Sequence, residues 1–520
     1  MSKQGTVYVI AMFAGLCAAA ISFFAPFFPY GEDSASYLDQ ARSVMARGVF
    51  EVTPWETDMA DVVSIPDPLF PPGYPVLIVI SSVLLQQPVE VIAPYLSLAA
   101  LILLPIVIVY SFHRVLGLLP ALWIGILVAL TPAVVRHGYI AFTDTLSLVL
   151  VIYAVNHLLT AGNKPTNWFW LGLLTGFAYL LRNANLGLLL SIGLYLLWNF
   201  IVEPENRKVK INNGLVWLGA NALIIVPWLI RNFLVFGKLQ PYSMGPSTVS
   251  LGENSHDYLQ AQLDTLLAFS SLDALMAGTP WGILLLLILL ALLVRQLITT
   301  WQRWQKIEQQ TFFIAVVYSA IGAAMLIAAR TRYEWGQHIN TRYALPYTCF
   351  IFVALVIVFK HTTLKINIRN WGLGLAVTLL IARAYQLPKL YEYDQYYQTV
   401  MGVAKQIKTN QDVVCNHLNG RFGVSNWAFV YRILCAAPVR HVWSPFRKNE
   451  FVDEKFQRWA ELGAEQGIVV SLFSNNKDDI KSGQPLDQDT VVKLKASGWQ
   501  IERNDQENLI LSRKAKSSPF

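Results

Sequence analysis

Charge is what this sequence has least of. Of 520 residues only 14% are Asp, Glu, Lys or Arg, while 54% are hydrophobic, and the mean hydropathy is +0.43. A soluble enzyme of this length carries far more charge. Cysteine is nearly absent too. The four, at positions 17, 349, 415 and 435, show no metal-ligand spacing. Cys17 and Cys349 fall in apolar runs, and Cys415 and Cys435 can pair only if their segment lies outside the cell. There is no internal repeat and no low-complexity linker. The start lacks the basic stretch and the small-residue cleavage site of a secretory signal. Lys3 is the only basic residue before the apolar run 7–28, and Phe23, Phe24, Phe27 and Phe28 crowd its end. That run therefore reads as a retained anchor. The net charge of +7 does not point to nucleic acid, because the basic residues fall mostly in short connections between apolar runs, as membrane orientation requires.

What the chain has in abundance is spanning-length apolar sequence, with 16 Trp and 22 Tyr to sit at membrane interfaces. Besides 7–28, runs recur at 91–112, 117–135, 145–161, 167–181, 185–201, 213–230, 280–298, 311–329, 344–360 and 371–387, giving about eleven expected transmembrane helices. Residues 74–85 are apolar but Pro-bounded, and a 12-residue helix reaches only about 18 Å, so they read as interfacial or re-entrant. With that choice His113, Arg114, Lys164, Arg207, Lys208, Lys210, Arg295 to Lys306 and Lys360 to Arg369 all fall on the side of the N-terminus. The other side receives a first loop, 29–90, together with Asp144, the loops 231–279 and 330–343, and the tail. The expected domains are a membrane domain, 1–390, and a small α/β domain, 391–520, on the outer face. The tail turns charged and mixed, with strand-length segments at DVVCNHL, GIVVSLFS and NLILSR.

Chemistry-bearing residues collect on that outer side. Asp33 stands four residues before Tyr37, and Leu38, Ala41, Val44 and Met45 fit one helical face. Asp33 is thus near a helix N-terminus, where a carboxylate serves as a cap, as a catalytic group or as both. Asp144, in HGYIAFTDTL, lies where a span re-enters the membrane, so it is either an N-cap or an ionisable group at membrane depth with a function. Arg182, Arg231, Arg330, Arg332 and Arg342 stand at outer span ends against the charge bias. A guanidinium fork suits a phosphate, although Arg330 and Arg332 read as snorkelling side chains. In PDPLFPPGYP the stiff backbone returns the chain to the membrane surface, with Tyr74 at the interface.

The motifs GEDSASYLDQARSVMARG, PPGYP, AFTDTL, LLRNANL, VPWLIRNFLVFGKL, GENS and HINTRYALP follow one another in this order over residues 5–350. The order resembles that of the GT-C fold polyprenyl-phosphate-sugar-dependent glycosyltransferases, the protein mannosyltransferase-like and aminoarabinose-transferase-like group. The resemblance implies inverting sugar transfer from a polyprenyl-phosphate-linked donor to a lipid, glycan or protein acceptor on the extracytoplasmic face of a prokaryotic inner membrane. By position it makes Asp33 the catalytic base. It matches Asp144 to a second acidic residue that orients the acceptor, holds a metal or supports the first site. Arg231, Arg342, Arg182 and His338 are then expected at the donor phosphate, and Tyr37, Tyr74, Asn232 and Tyr343 at donor or acceptor. A divalent metal is left open, with Asp33, Asp144 and His338 as its only candidate ligands. The chain departs from the pattern at Phe70, where some members carry Lys or His before the PP, and at Ser34, where an acidic residue often follows the first Asp. The alternative is a multi-span transporter or lipid-linked-sugar flippase, disfavoured because the two halves show no symmetry.

Overall fold

The computed structural model describes residues 2–25, 28–52, 64–203, 205, 207–241, 245–267, 291–333, 338–361 and 368–392, and beyond them 404, 422–424, 433–434, 439–441, 468–471, 488–496, 499–504 and 508–513. The helices run α1 Lys3–Phe24, α2 Glu32–Arg47, α3 Gly73–Leu85, α4 Val89–Leu116, α5 Leu118–Ala129, α6 Pro132–His137, α7 Asp144–Thr160, α8 Pro165–Leu181, α9 Leu186–Val202, α10 Arg207–Phe236 and α11 Leu251–Leu267. They continue with α12 Lys306–Arg332, α13 Thr341–Lys360 and α14 Ile368–Glu392. Helices occupy ten of the eleven expected apolar runs, and the remaining run, 280–298, is described only from residue 291, where it is helical. Six stretches are long and apolar enough to cross a membrane, with α3, α5, α7 and part of α14 shorter and apolar. This is a multi-pass membrane protein.

Close backbone approach holds the bundle, as expected where lipid removes the hydrophobic drive between helices. On α8, Gly172 and Gly176 face α10, and a Cβ on Gly172 would lie 2.5 Å from both Ala220 Cβ and the Trp217 carbonyl. Thr175, between them, is linked to Asn221 Oδ1 at 3.0 Å and accepts from Trp217 Nε1 at 3.1 Å. At one end of the bundle the buried Glu308 accepts from Lys360 Nζ at 2.6 Å, and Lys360 also donates to the Val115 carbonyl at the end of α4. Glu203 meets Lys306 at 2.6 Å and Lys210 at 3.2 Å. The basic connections thus gather at one end, and Asp33, Asp144 and Arg342 at the other.

Helix α3 has the short, half-buried form expected of residues 74–85 and lies against α2, α4 and α8. Within the expected loop 231–279, α11 lies against α12 and α13. Asn254 Nδ2 donates to Thr331 Oγ1 at 3.1 Å, and Gln262 Nε2 to Thr348 Oγ1 at 2.9 Å. Its amphipathic pattern carries Asn, Gln and Thr on the packed side, which is why hydropathy alone leaves it outside the bundle.

Towards the C-terminus, β1 Phe422–Val424, β2 Val439–His441, β3 Ile468–Ser471, β4 Trp499–Asn504 and β5 Asn508–Arg513 form one mixed sheet in the order β2-β1-β3-β5-β4. The β1 strand pairs in parallel with β2 and β3, and β5 is antiparallel to β3 and β4. Ala404 and Ile433 are buried in the cluster of Ala35, Tyr37, Leu38 and Tyr74, so the tail contacts α2. Cys415 and Cys435 lie outside the described residues. Cys17 and Cys349 are free thiols.

Candidate active site

Gly31 is the N-cap residue of α2, and its backbone is capped by Ser34 rather than Asp33. The Gly31 N–H donates to Ser34 Oγ at 2.9 Å, and Ser34 Oγ donates to the Ala141 carbonyl at 2.9 Å. The serine that replaces an acidic residue thus pins the first turn of α2 to the segment before α7. Asp33 is left uncommitted to capping and 30% exposed at its side chain.

Asp144 is the first residue of α7, and it makes no capping hydrogen bond either. Its carboxylate is 1% exposed and bridges two guanidinium groups: Arg182 Nη1 donates to Oδ1, and Arg342 Nε donates to Oδ2 at 2.9 Å. Arg342 extends its Nη2 to Asp33 Oδ2 at 2.6 Å and lies over the Phe142 ring, 3.9 Å from its centroid. Four residues that lie up to 309 positions apart form one chain, Asp33–Arg342–Asp144–Arg182. Two carboxylates balance two guanidiniums, as burial demands. Among the described residues neither guanidinium donates to any other group, so each keeps N–H groups for an anion.

Tyr37 and Tyr343 border this chain. Burial, followed by the charge of Asp33, pushes the Tyr37 phenol well above its ordinary range, so it stays protonated. Asp33 and Arg342 are both among the charges acting on the Tyr343 hydroxyl.

The remaining expected residues are elsewhere. Arg231 ties down the first loop: its Nη1 donates to the Asp67 carbonyl at 3.0 Å and to Asn232 Oδ1 at 2.9 Å, and its Nη2 donates to the Phe50 carbonyl at 3.1 Å. The guanidinium is stacked 4.6 Å from Trp228. Asn232 is buried and serves to orient Arg231. Tyr74 is fully buried and donates to the Ala93 carbonyl at 2.7 Å, so it joins α3 to α4 instead of facing a substrate. His338 is 79% exposed and pairs with Asp257 at 3.1 Å. Arg330 does not snorkel; it is buried and donates to Ser247 Oγ at 3.0 Å.

Sequence reasoning passed over Asp67, which is buried in the Pro-rich loop. It accepts from Gln40 Nε2 at 2.5 Å, from Leu69 N–H at 2.6 Å and from Phe70 N–H at 3.1 Å. Burial raises its carboxyl above the usual range against the pull of those bonds. An Asp just before a Pro-rich turn is the signal that was there to read. The buried His137 was missed as well. Burial, with Arg342 and Arg136 near it, lowers its imidazole to about 3.

The donor set does not suit a divalent cation. Asp33 and Asp144 are both engaged by guanidiniums, and His338 is paired with Asp257. Among the described residues no group of three or more His, Cys, Asp or Glu could hold a metal.

No protein-family model matches this sequence, and no curated protein matches it. Its fold does match solved structures. It is similar to ArnT from Cupriavidus metallidurans bound to undecaprenyl phosphate, with a TM-score of 0.57 and 12% identity over 99% of both chains. It is also similar to the archaeal oligosaccharyltransferase AglB from Archaeoglobus fulgidus in complex with an inhibitory peptide and a dolichol-phosphate. That match has a TM-score of 0.54 and 12% identity, covering 91% of this chain and 69% of the other. The fold expected from the motif order, GT-C, is the fold of this chain.

Proposed function

We propose that this protein is an inverting glycosyltransferase that moves a sugar from a polyprenyl-phosphate donor to a lipid, glycan or protein acceptor. One observation carries this reading: the buried Asp144 yokes Arg182 and Arg342 beside the accessible carboxylate of Asp33. The yoked arginines form a clamp for a phosphate, each with N–H groups still to give. The fold is shared with proteins solved with undecaprenyl phosphate or dolichol-phosphate, which supports a lipid-phosphate donor.

In the proposed reaction the donor phosphate takes up Arg342 and Arg182. Asp33, released from Arg342, accepts the proton of the acceptor hydroxyl as that oxygen attacks the anomeric carbon. The bond from carbon to phosphate oxygen breaks, and the electron pair leaves on polyprenyl phosphate, where the arginines stabilise the growing charge. Asp144 is a positioning residue. No step is routed through a metal. About eleven spans, the site and the 391–520 domain on the extracytoplasmic side, and a prokaryotic inner membrane complete the reading. The basic residues at the end opposite Asp33 support that orientation.

The test is turnover by the purified protein in native lipid extract with a panel of labelled polyprenyl-phosphate monosaccharides. Wild type should release polyprenyl phosphate and form a product of inverted anomeric configuration. Asp33→Asn, equally folded, should lose about 10²–10⁴-fold in rate, the usual weight of a general base. Equal turnover by the variant, or none by wild type with any donor, would sink the proposal.

A further inference from the structure

The face of α2 opposite Asp33 borders a cleft of about 730 Å³ between the second half of α2, the end of α3 and the start of α4. Nine residues at 100° each put Arg42 on that opposite face. Arg42, Met45, Val83, Gln86, Gln87 and Glu90 define the cleft. Arg42 touches Glu90 at 2.5 Å, and Asp39 lies 3.4 Å from the same guanidinium. The polar rim therefore holds an ion pair, Arg42 with Glu90, and Asp39 lies behind it. The other rim is apolar and open: Val83 is 62% exposed and Leu84 75%, as suits side chains that face lipid. Gln86 is the only non-glycine residue with a positive φ, 52°, among those described. Such backbone persists where surroundings over-determine it. Here the Gln86 N–H is held by the Ser82 carbonyl, and Ser82 Oγ donates to the Gln87 carbonyl at 2.5 Å.

A charged rim with both signs beside a lipid-facing apolar rim fits one class of amphiphile. We propose that this cleft seats the headgroup of a phosphatidylethanolamine-type phospholipid. Its ammonium lies on Glu90, its phosphate on the Arg42 side against the Gln86 and Gln87 amides, and its acyl chains run over Val83 and Leu84. Charge complementarity selects the headgroup. An anionic glycerol headgroup brings no cation for Glu90, while a choline headgroup brings a cation with no N–H to donate to it. Arg42 also donates to the Ile433 carbonyl at 3.2 Å, so the lipid sits beside the contact between the tail and the helix that carries Asp33.

The experiment uses the full-length protein in nanodiscs holding equal parts ethanolamine, glycerol and choline phospholipids, with retained lipid counted by native mass spectrometry. Wild type should keep the ethanolamine lipid about tenfold over either other class, a difference of roughly 1.4 kcal/mol. Met45→Trp fills the cleft without touching the ion pair, and Glu90→Gln removes the ammonium's partner. Both should erase the preference while the thermal midpoint of Met45→Trp stays at the wild-type value. Equal retention of ethanolamine lipid and either competitor by wild type overturns the proposal, as does a preference that survives both substitutions.

Discussion

The two acidic residues of the site differ in what surrounds them, and that difference divides their roles. Asp33 has accessible surface and one guanidinium, whereas Asp144 is enclosed and holds two. Removing one partner of a buried ion pair costs about 3–5 kcal/mol because the other charge is left uncompensated. Asp144→Asn should therefore lower the thermal midpoint and raise the donor KM about tenfold or more, whereas Asp33→Asn should lower kcat with the donor KM kept. Donor titrations of the two variants check this, and a wild-type donor KM in Asp144→Asn would remove the arginine clamp. His137 gives a second expectation. Its imidazole drops to about 3 in the fold from an ordinary 6.5, so the unfolded chain binds the proton first. Stability from this group is complete above pH 6.5 and falls as pH drops towards 3. The thermal midpoint of wild type should fall more steeply than that of His137→Gln as pH drops from 6.5 towards 3; equal slopes from pH 7 to 5 would show that His137 is not the sensor. The sequence marked Asp33, Asp144, Arg182 and Arg342 as separate outer-end charges. That they form one chain was not legible, since pairing across 309 positions depends on how α2, α7 and α13 pack.

At the scale of helices, periodicity and hydropathy were legible because a span must be apolar over its whole length. What escaped was α11, whose polar packed face hides it from any hydropathy window, and the division of labour among helix ends. Arg231 looked equal to Arg342 in sequence, yet it closes on loop carbonyls at Phe50 and Asp67. Small residues carry their own legible message. Gly172 has no room for a Cβ against Ala220 and Trp217, whereas Gly193 on α9 has nothing within 4 Å. Gly172→Ala should destabilise the bundle by about 1–3 kcal/mol through overpacking. Gly193→Ala should be neutral or mildly stabilising, because alanine outranks glycine in a helix. Thermal unfolding of the two variants in the same detergent decides it, and a neutral Gly172→Ala would mean that α8 and α10 sit farther apart than described.

The whole molecule turns on a charge that neither the sequence nor the proposed chemistry accounts for. Arg383 on α14 is fully buried and lies about 22 Å along the helix from Ile368. Its Nε donates to the Leu127 carbonyl at 2.9 Å, and its Nη2 to the Thr265 and Leu266 carbonyls at 3.0 and 3.1 Å. Leu127 lies in the last turn of α5, near its negative pole, and Thr265 and Leu266 close the described part of α11. One guanidinium therefore ties α14 to α5 and α11 inside the bundle. Thr265, in turn, accepts from Thr348 Oγ1 at 2.8 Å, six residues along α13 from Arg342. Arg383→Met removes the donor that Thr265 and Leu266 share, at about 1–3 kcal/mol for each carbonyl left unpaired, whereas the Leu127 carbonyl keeps Thr131 Oγ1 at 2.9 Å. Arg383→Lys, with a shorter reach and a point charge, should restore only part of the loss. The local signature is amide hydrogen exchange: residues 251–267 should exchange faster in Arg383→Met while α8 and α10 keep their protection. Unchanged protection of α11 would show that its contacts with α12 and α13 suffice to hold it without Arg383.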